Sequence, residues 1–341
     1  MSMRIHVLVL LLGLVVLALG AACGSGPSQG SPFPPTPSPS PSPTQPPVTP
    51  EPTPEPTEFR VAYINLMSPL SIDETDTVPG DTYETRLQLV IAELKALNPD
   101  VVGFSEATRT EAHGDTIARL ATELRMQPQS VHVNPGFAGQ SEEQMRALAD
   151  DIGWQESELI LVRGDRFPDL GASYKWLVPR TSQSEARRAL HVKVKGPGET
   201  GDIDLFITHL TDGGEELRGE QAEDFADFVV AQRSFNPGVV MADLSDGPDS
   251  PAYEALRAIG LSDPFEGSDV LTCCRVSVTG AQEPLTARSS YLFGWAWSPT
   301  ESGTFGNTGA TSSDGTVVYP SDHLGLWAVF PLGAPTTALE D

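Results

Sequence analysis

NPDVVGFSEAT, residues 98–108, changes character twice. Asn98 and Pro99 stop whatever helix precedes them, because proline lacks the N–H that a helix needs. Val101, Val102 and Phe104 then read as a short buried strand, and the strand is expected to stop at Glu106. Upstream, DTYETRLQLVIAELKALNPD carries Leu87, Val90, Ile91, Leu94 and Leu97 at helical spacing, with Asp81 and Glu84 spaced as a capping box. Before that helix, FRVAYIN (59–65) is rich in strand formers and ends on Asn65. Strand, helix and strand follow one another in that order.

The same alternation continues downstream. Ile117, Leu120 and Leu124 mark a second helix, and SELILVRGDRFP and RRALHVKVKG read as strands. GDIDLFITHL is a strand ending at Thr208 and His209, and EELRGEQAEDFADFVVAQR is a helix with Leu217, Phe225, Phe228 and Val229 inward. NPGVVMADLSDG gives a buried strand that stops at Asp243. A helix over 252–259, a strand pair near Tyr291 and a final strand in HLGLWAVFP complete the pattern, without an internal repeat. Strands outnumber helices and helices fall between some of them, which predicts a layered α/β sandwich with sheets inside and helices outside.

The chain has 341 residues, 46 acidic against 21 basic side chains, and a formal net charge of −25. Such a surface repels nucleic-acid phosphates at long range, so tight non-specific DNA binding is not expected without metal ions or a basic patch. Solubility is the plainer reading of the acidity. Arg4 is the only lysine or arginine before Glu51, and it precedes the apolar run HVLVLLLGLVVLALGAAC. That run suits a signal-peptide core better than a membrane span. The small residues Gly20, Ala21 and Ala22 before Cys23 resemble a bacterial lipobox, although Gly20 stands where leucine is usual. Residues 1–22 are therefore expected to be a lipoprotein signal peptide and Cys23 the lipidated residue. An ordinary secretory signal is the alternative. Residues 23–57, nearly all Pro, Ser, Thr and Gly, cannot build a core and favour extended polyproline II. At about 3.1 Å per residue, roughly 30 residues reach on the order of 90 Å. The expected layout is a stalk that holds one domain, residues 58–341, at the outer face of the cytoplasmic membrane. Of the three cysteines, Cys273 and Cys274 remain as an adjacent pair. Two ligands are too few for zinc, and a thiol pair is preferred slightly over a vicinal disulfide.

Four strands end on a residue able to carry chemistry: Asn65, Glu106, His209 and Asp243. Asp322–His323 precedes the last strand. Asn65, Glu106, Asp243 and Asp322 are hard oxygen donors suited to Mg²⁺, Mn²⁺ or Ca²⁺. His209 and His323 suit water activation and charge stabilisation. Taken singly, each has a plainer role: a strand-end carboxylate is usually solvated or capping, and a lone histidine is usually satisfied by its surroundings.

Read in order, RVAYIN, LNPDVVGFSEA, ITHL, LRGEQ, VVMADLS and PSDHLGLWAVF resemble the endonuclease/exonuclease/phosphatase superfamily. The resemblance covers residues 59–330 and implies a DNase-I-like fold: a four-layered α/β sandwich of two packed mixed β-sheets flanked by helices. It implies Mg²⁺ or Mn²⁺ at Glu106, with Asn65 and Asp322 beside it. It further implies His209 as the phosphate-contacting residue, Asp243 as the residue that positions water, and His323 as the catalytic base supported by Asp322. Arg218 and Gln221 match helix positions that look structural. The implied substrate is a phosphoester (nucleic acid, phospholipid headgroup or small phosphate ester), and a monomer is expected. Two positions depart from the pattern. Ser245 replaces an asparagine, and Ser290, in RSSY, replaces an aspartate that orients the catalytic histidine. Glu283 or Asp246 are alternative carboxylates for that role. These departures also suit a second reading, a pseudoenzyme of the same fold that binds a ligand or partner without turnover.

Overall fold

The computed structural model describes residues 55–69, 82–134, 140–177, 187–282, 284–311 and 315–333. Cys23, the signal segment, the stalk up to residue 54, Asp81 and Glu283 lie outside them. In chain order the elements are β1 (Glu58–Asn65), α1 (Tyr83–Leu97), β2 (Val101–Thr110), β3 (Gly114–Asp115), α2 (Thr116–Leu124), β4 (Gln127–Asn134), α3 (Glu142–Ile152), β5 (Trp154–Val162), β6 (Asp169–Trp176), β7 (Arg188–Lys195), β8 (Asp202–His209), α4 (Glu215–Gln232), β9 (Gly238–Asp243), α5 (Pro251–Ala258), β10 (Ser290–Trp295), β11 (Glu301–Phe305), β12 (Ala310–Thr311), β13 (Val317–Val318) and β14 (Gly325–Pro331).

Two sheets carry the fold. One has the order β11-β14-β1-β2-β5-β4, with β3 against β2; the other has the order β10-β9-β8-β7-β6. Each contains a single parallel pair among the described residues, β1 with β2 and β8 with β9. A parallel pair needs a crossover, and α1 and α4 supply one each. The sandwich is thus two βαβ units set back to back and extended by antiparallel strands.

Alternation along the strands divides the side chains among three cores. Val61, Tyr63 and Val101 meet Leu205, Ile207, Val239 and Met241 between the sheets. Ala62, Ile64, Val102 and Phe104 turn outward to α1 and α2. Phe206, Val240 and Ala242 turn outward to α4 and α5. Strands buried on both faces explain why β1, β2, β8 and β9 read as continuous apolar runs. The result is the expected four-layered sandwich.

Local signals account for most boundaries. Asn98, at φ 50°, caps α1 in the left-handed conformation, so the helix ends before Pro99. Ser141 and Gln144 form a reciprocal capping box at the start of α3, a helix the sequence reading missed. The capping box expected at Asp81 and Glu84 is not seen among the described residues. Thr82 is the N-cap of α1 without a side-chain bond, and Glu84 pairs with Arg119. The expected strand pair near Tyr291 is split, since β10 joins one sheet and β11 the other. The strand expected to stop at Glu106 instead continues to Thr110, with its register shifted between Phe104 and Ala107.

Candidate active site

Parallel pairing brings the strand ends together. Asn65 lies opposite Ser105, one residue before Glu106, and His209 lies opposite Asp243. Ser290 is Asp243's partner on the other side. Asn65, Glu106, His209 and Asp243, with Asp322 and His323, line one cleft of about 420 Å³. Ser290 lies directly beneath it, fully buried.

Glu106 reaches the cleft through a β-bulge. Its φ of 60° is left-handed, a conformation that costs a non-glycine residue roughly 1–2 kcal/mol. Met67 and Ser245, at φ 52° and 51°, also line the cleft in that conformation. Strain of this kind collects where a side chain must be aimed.

The carboxylates are held by N–H donors. Asn65 Nδ2 donates to Glu106 Oε1 at 2.9 Å and to Asp243 Oδ2 at 3.1 Å. The backbone N–H of Ser68 donates to Glu106 Oε2 at 2.6 Å, and that of Ser245 to Asp243 Oδ1 at 3.0 Å. Asn65 Oδ1 meanwhile accepts from the Met67 N–H at 2.9 Å. Asn65 thus offers its amide protons to the two carboxylates and holds them in place.

Charge follows this geometry. Burial opposes ionisation of Asp243, but His323, His209 and the two N–H donors outweigh it and hold its carboxyl down at about 2. Burial likewise opposes ionisation of Glu106, yet His209, Ser68 and Asn65 keep it below the usual range. Asp322 goes the other way, raised by burial and by the charge of Glu106 despite His323.

The two histidines differ. Arg187, a residue the sequence reading missed, brings Nη1 to 3.1 Å from His209 Nδ1. A guanidinium can only donate, so Nδ1 accepts and the proton of His209 sits on Nε2. Burial and then Arg187 push the His209 pKa down, which favours the neutral ring. His323 Nδ1 lies 3.2 Å from Ser290 Oγ and 3.4 Å from Asp243 Oδ2. A carboxylate can only accept, so Asp243 favours a proton on Nδ1, while Nε2 lies 3.8 Å from Asp322 Oδ2. Burial lowers the His323 pKa, but Asp322, Asp243 and Glu106 more than reverse it. Replacement of an aspartate by Ser290 therefore does not leave His323 without countercharge.

Arg218 and Gln221 are structural, as expected. Arg218 Nε donates to Asp246 Oδ2 at 3.0 Å, and Gln221 Oε1 accepts from the Thr211 N–H at 2.9 Å. Asp246, the alternative partner suggested for His323, is engaged by Arg218 and by the Gly247 N–H. Cys273 and Cys274 are joined as a vicinal disulfide, which the sequence reading ranked second, and both line the cleft.

No family model matches the sequence, and no curated protein does. Solved structures match the fold. One is an endonuclease/exonuclease/phosphatase family protein from Bacteroides thetaiotaomicron, with a TM-score of 0.62 and 17% identity, covering 81% of this chain and 96% of that one. A mannosyl-6-phosphatase from the same organism gives 0.61 and 17%, over 79% and 98% of the two chains. The human Nocturnin catalytic domain with bound sulfate gives 0.56 and 18%, over 81% and 95%. The chain has the DNase-I-like fold of these proteins.

Beneath the cleft lies a buried chain of polar groups. Tyr63 Oη sits 2.8 Å from Ser105 Oγ, which donates to Glu158 Oε2 at 2.7 Å. Burial pushes the Glu158 carboxyl up to about 8, with only partial relief from Ser105 and Arg187. Between an ordinary glutamate value of about 4.3 and about 8, the unfolded chain has released a proton that the folded chain keeps. Stability from this group is full below that window. It is lost as pH rises through it, by up to about 1.4 kcal/mol per pH unit. Glu158→Gln is expected to flatten the fall in urea midpoint between about pH 5 and pH 8. Equal falls in parent and variant would show that Glu158 is ionised in the fold.

Proposed function

We propose that this protein is a metal-dependent phosphoesterase, held outside the cytoplasm by a lipid on Cys23. The observation that carries the hydrolytic reading is the continuous link from Glu106 through Asn65 and Asp243 to His323 in one cleft. The names of proteins sharing the fold, a mannosyl-6-phosphatase among them, support the substrate class.

Glu106 and Asp322 are hard oxygen donors on one cleft wall, and burial, then the charge of Glu106, raise the pKa of Asp322. A divalent cation relieves that opposition, so the residues present fit Mg²⁺ or Mn²⁺. When bound, the ion supplies positive charge to a phosphoryl oxygen and the leaving oxygen. The side chains do the rest. Asn65 holds Glu106 and Asp243 in place. His209 donates its Nε2 proton to a phosphoryl oxygen. Asp243 fixes the proton of His323 on Nδ1, so the neutral ring presents the Nε2 lone pair as base. Nε2 takes a proton from water, the hydroxyl oxygen bonds to phosphorus, and the ester oxygen departs.

Three measurements test this. Hydrolysis of chromogenic phosphomonoesters and phosphodiesters is expected to need Mg²⁺ or Mn²⁺, to stop with chelator, and to fall by at least about 10²-fold in His323→Ala. Mn²⁺ should raise the melting temperature of the parent but not of Glu106→Ala. Stabilisation by Mn²⁺ without any turnover would favour the binding-module reading instead.

Asp243, not Ser290, is the main orienting group of His323 on this reading. Asp243→Asn is expected to cost about 10²–10⁴ in kcat. Ser290→Ala should cost about tenfold at most, the worth of one neutral hydrogen bond. The reverse order would reassign the role to Ser290.

The anchor rests on the apolar run, the small residues before Cys23 and the stalk composition. Cys23→Ser should release the protein from membranes into the medium. Unchanged membrane retention would rule the lipid out.

A further inference from the structure

Cys273 and Cys274 face the ring nitrogen that the hydrolytic reading uses. His323 Nε2 lies 3.6 Å from Cys273 Sγ and 4.0 Å from Cys274 Sγ. Among the described residues, this is the one set of three or more His, Cys, Asp or Glu side chains whose ligand atoms all lie within 4.8 Å of one another. In a tetrahedral zinc site, bonds of about 2.3 Å to sulfur and 2.0–2.1 Å to nitrogen give an N···S edge of about 3.5 Å. The two N···S separations are close to that edge, while the sulfurs, bonded to each other here, must part to about 3.8 Å to complete it.

The far side of the ring supplies a second, independent observation. A histidine that ligates a metal through one nitrogen almost always gives its other N–H to a carboxylate, carbonyl or water. His323 Nδ1 faces Asp243 Oδ2 and Ser290 Oγ. Nε2 is then the nitrogen that faces the two sulfurs, with Asp322 Oδ2 at 3.8 Å beside it. The backbone around the first sulfur is fixed. Cys273 N–H donates to Ala287 O at 2.9 Å, and Ala287 N–H returns a bond to Cys273 O at 2.7 Å. Cys273 is 4% exposed, Cys274 is the more open of the two, and all three ligands border the cleft.

We infer that reduction of the Cys273–Cys274 disulfide creates a three-ligand site for a soft divalent ion of the zinc class, made by both thiolates and His323 Nε2. Thiolate and imidazole donors select zinc over the hard ions that suit Glu106 and Asp322. A dithiol reductant delivers two electrons and two protons to the S–S bond. Two thiols form, and the reductant leaves as its own disulfide. Metal binding then releases the two thiol protons, and no atom changes oxidation state. The fourth position opens to the cleft. An ion there removes the lone pair of Nε2 from use as a base, a consequence that rests on the hydrolytic reading. The site itself does not rest on it.

Cobalt(II) is the spectroscopic probe. The full chain is reduced with a dithiol, freed of it anaerobically, and titrated with Co²⁺. One equivalent should produce a sulfur-to-cobalt charge-transfer band and tetrahedral visible bands, and Zn²⁺ should displace both. The disulfide form should show no such band, a comparison that needs no variant. Cys273→Ser and Cys274→Ser should each weaken binding by at least about tenfold, and His323→Ala should shift the visible bands. Glu106→Ala should keep the charge-transfer band. Absence of the band in the reduced parent, or a band of full strength in both serine variants, would overturn the site. A band of the expected strength in a protein that hydrolyses no phosphoester would uphold the site and count only against the hydrolytic reading.

Discussion

One carboxamide stands between two carboxylates of different sheets, Asp243 buried and Glu106 half-buried. Asn65 donates one amide group to both Glu106 and Asp243. Without that donor the two like charges would face each other at the seam of the sandwich, where the low dielectric makes repulsion expensive. With it, the ends of both parallel pairs are tied at one point. Asp243 then has a fixed position from which to meet the Ser245 N–H and the His323 ring. Because one hydrogen-bonded group connects these residues, their contributions are expected to be coupled rather than additive.

The topology makes this convergence possible. A βαβ crossover returns the chain in the same direction, so both strands of a parallel pair finish at the same rim. With one such pair in each sheet, the two rims coincide, and the last residues of β1, β8 and β9 share a cleft with Glu106 on the bulge of β2. The antiparallel neighbours bring in what the parallel pairs lack. β10 places Ser290 beside Asp243, and the loop before β14 carries Asp322 and His323. Ser321 ties that loop to β1, its hydroxyl donating to the backbone oxygen of Asn65 at 2.7 Å.

Much of this was legible in the sequence. Strands buried on both faces leave continuous apolar runs, and the polar residue ending each run is where the chain reaches the rim, so Asn65, His209 and Asp243 stood out. The alternation of those runs with helical periodicity gave the layers. Features that arise only from pairing did not show. The bulge at Glu106 is a register shift between β2 and β5 and has no local signature, so the strand seemed to end there. Arg187 sits before β7 in a polar stretch, and only the fold carries it to His209. The neighbouring cysteines were visible, but their approach to His323 spans 50 positions of chain. The capping box of α3 was readable in SEEQ, residues 141–144, and was passed over inside a loop-like segment.

Register also explains how an aspartate can be absent at position 290. Ser290 pairs directly with Asp243 across β9 and β10, and it is fully buried. A carboxylate at 290 would put two like charges on facing positions of adjacent strands, an arrangement that destabilises a sheet. It would also add to a cleft already lined by Glu106, Asp243 and Asp322. A hydroxyl avoids that repulsion and still reaches the ring at 3.2 Å. The countercharge that position 290 lacks comes from the three carboxylates around His323, which outweigh burial and raise its pKa. Orientation and charge, which an aspartate at 290 would combine, come here from Asp243 and the acids around the ring, with Ser290 adding one hydrogen bond. The ring keeps its Nδ1 side on Asp243 and Ser290 and turns its Nε2 side to the cleft wall of Cys273, Cys274 and Asp322.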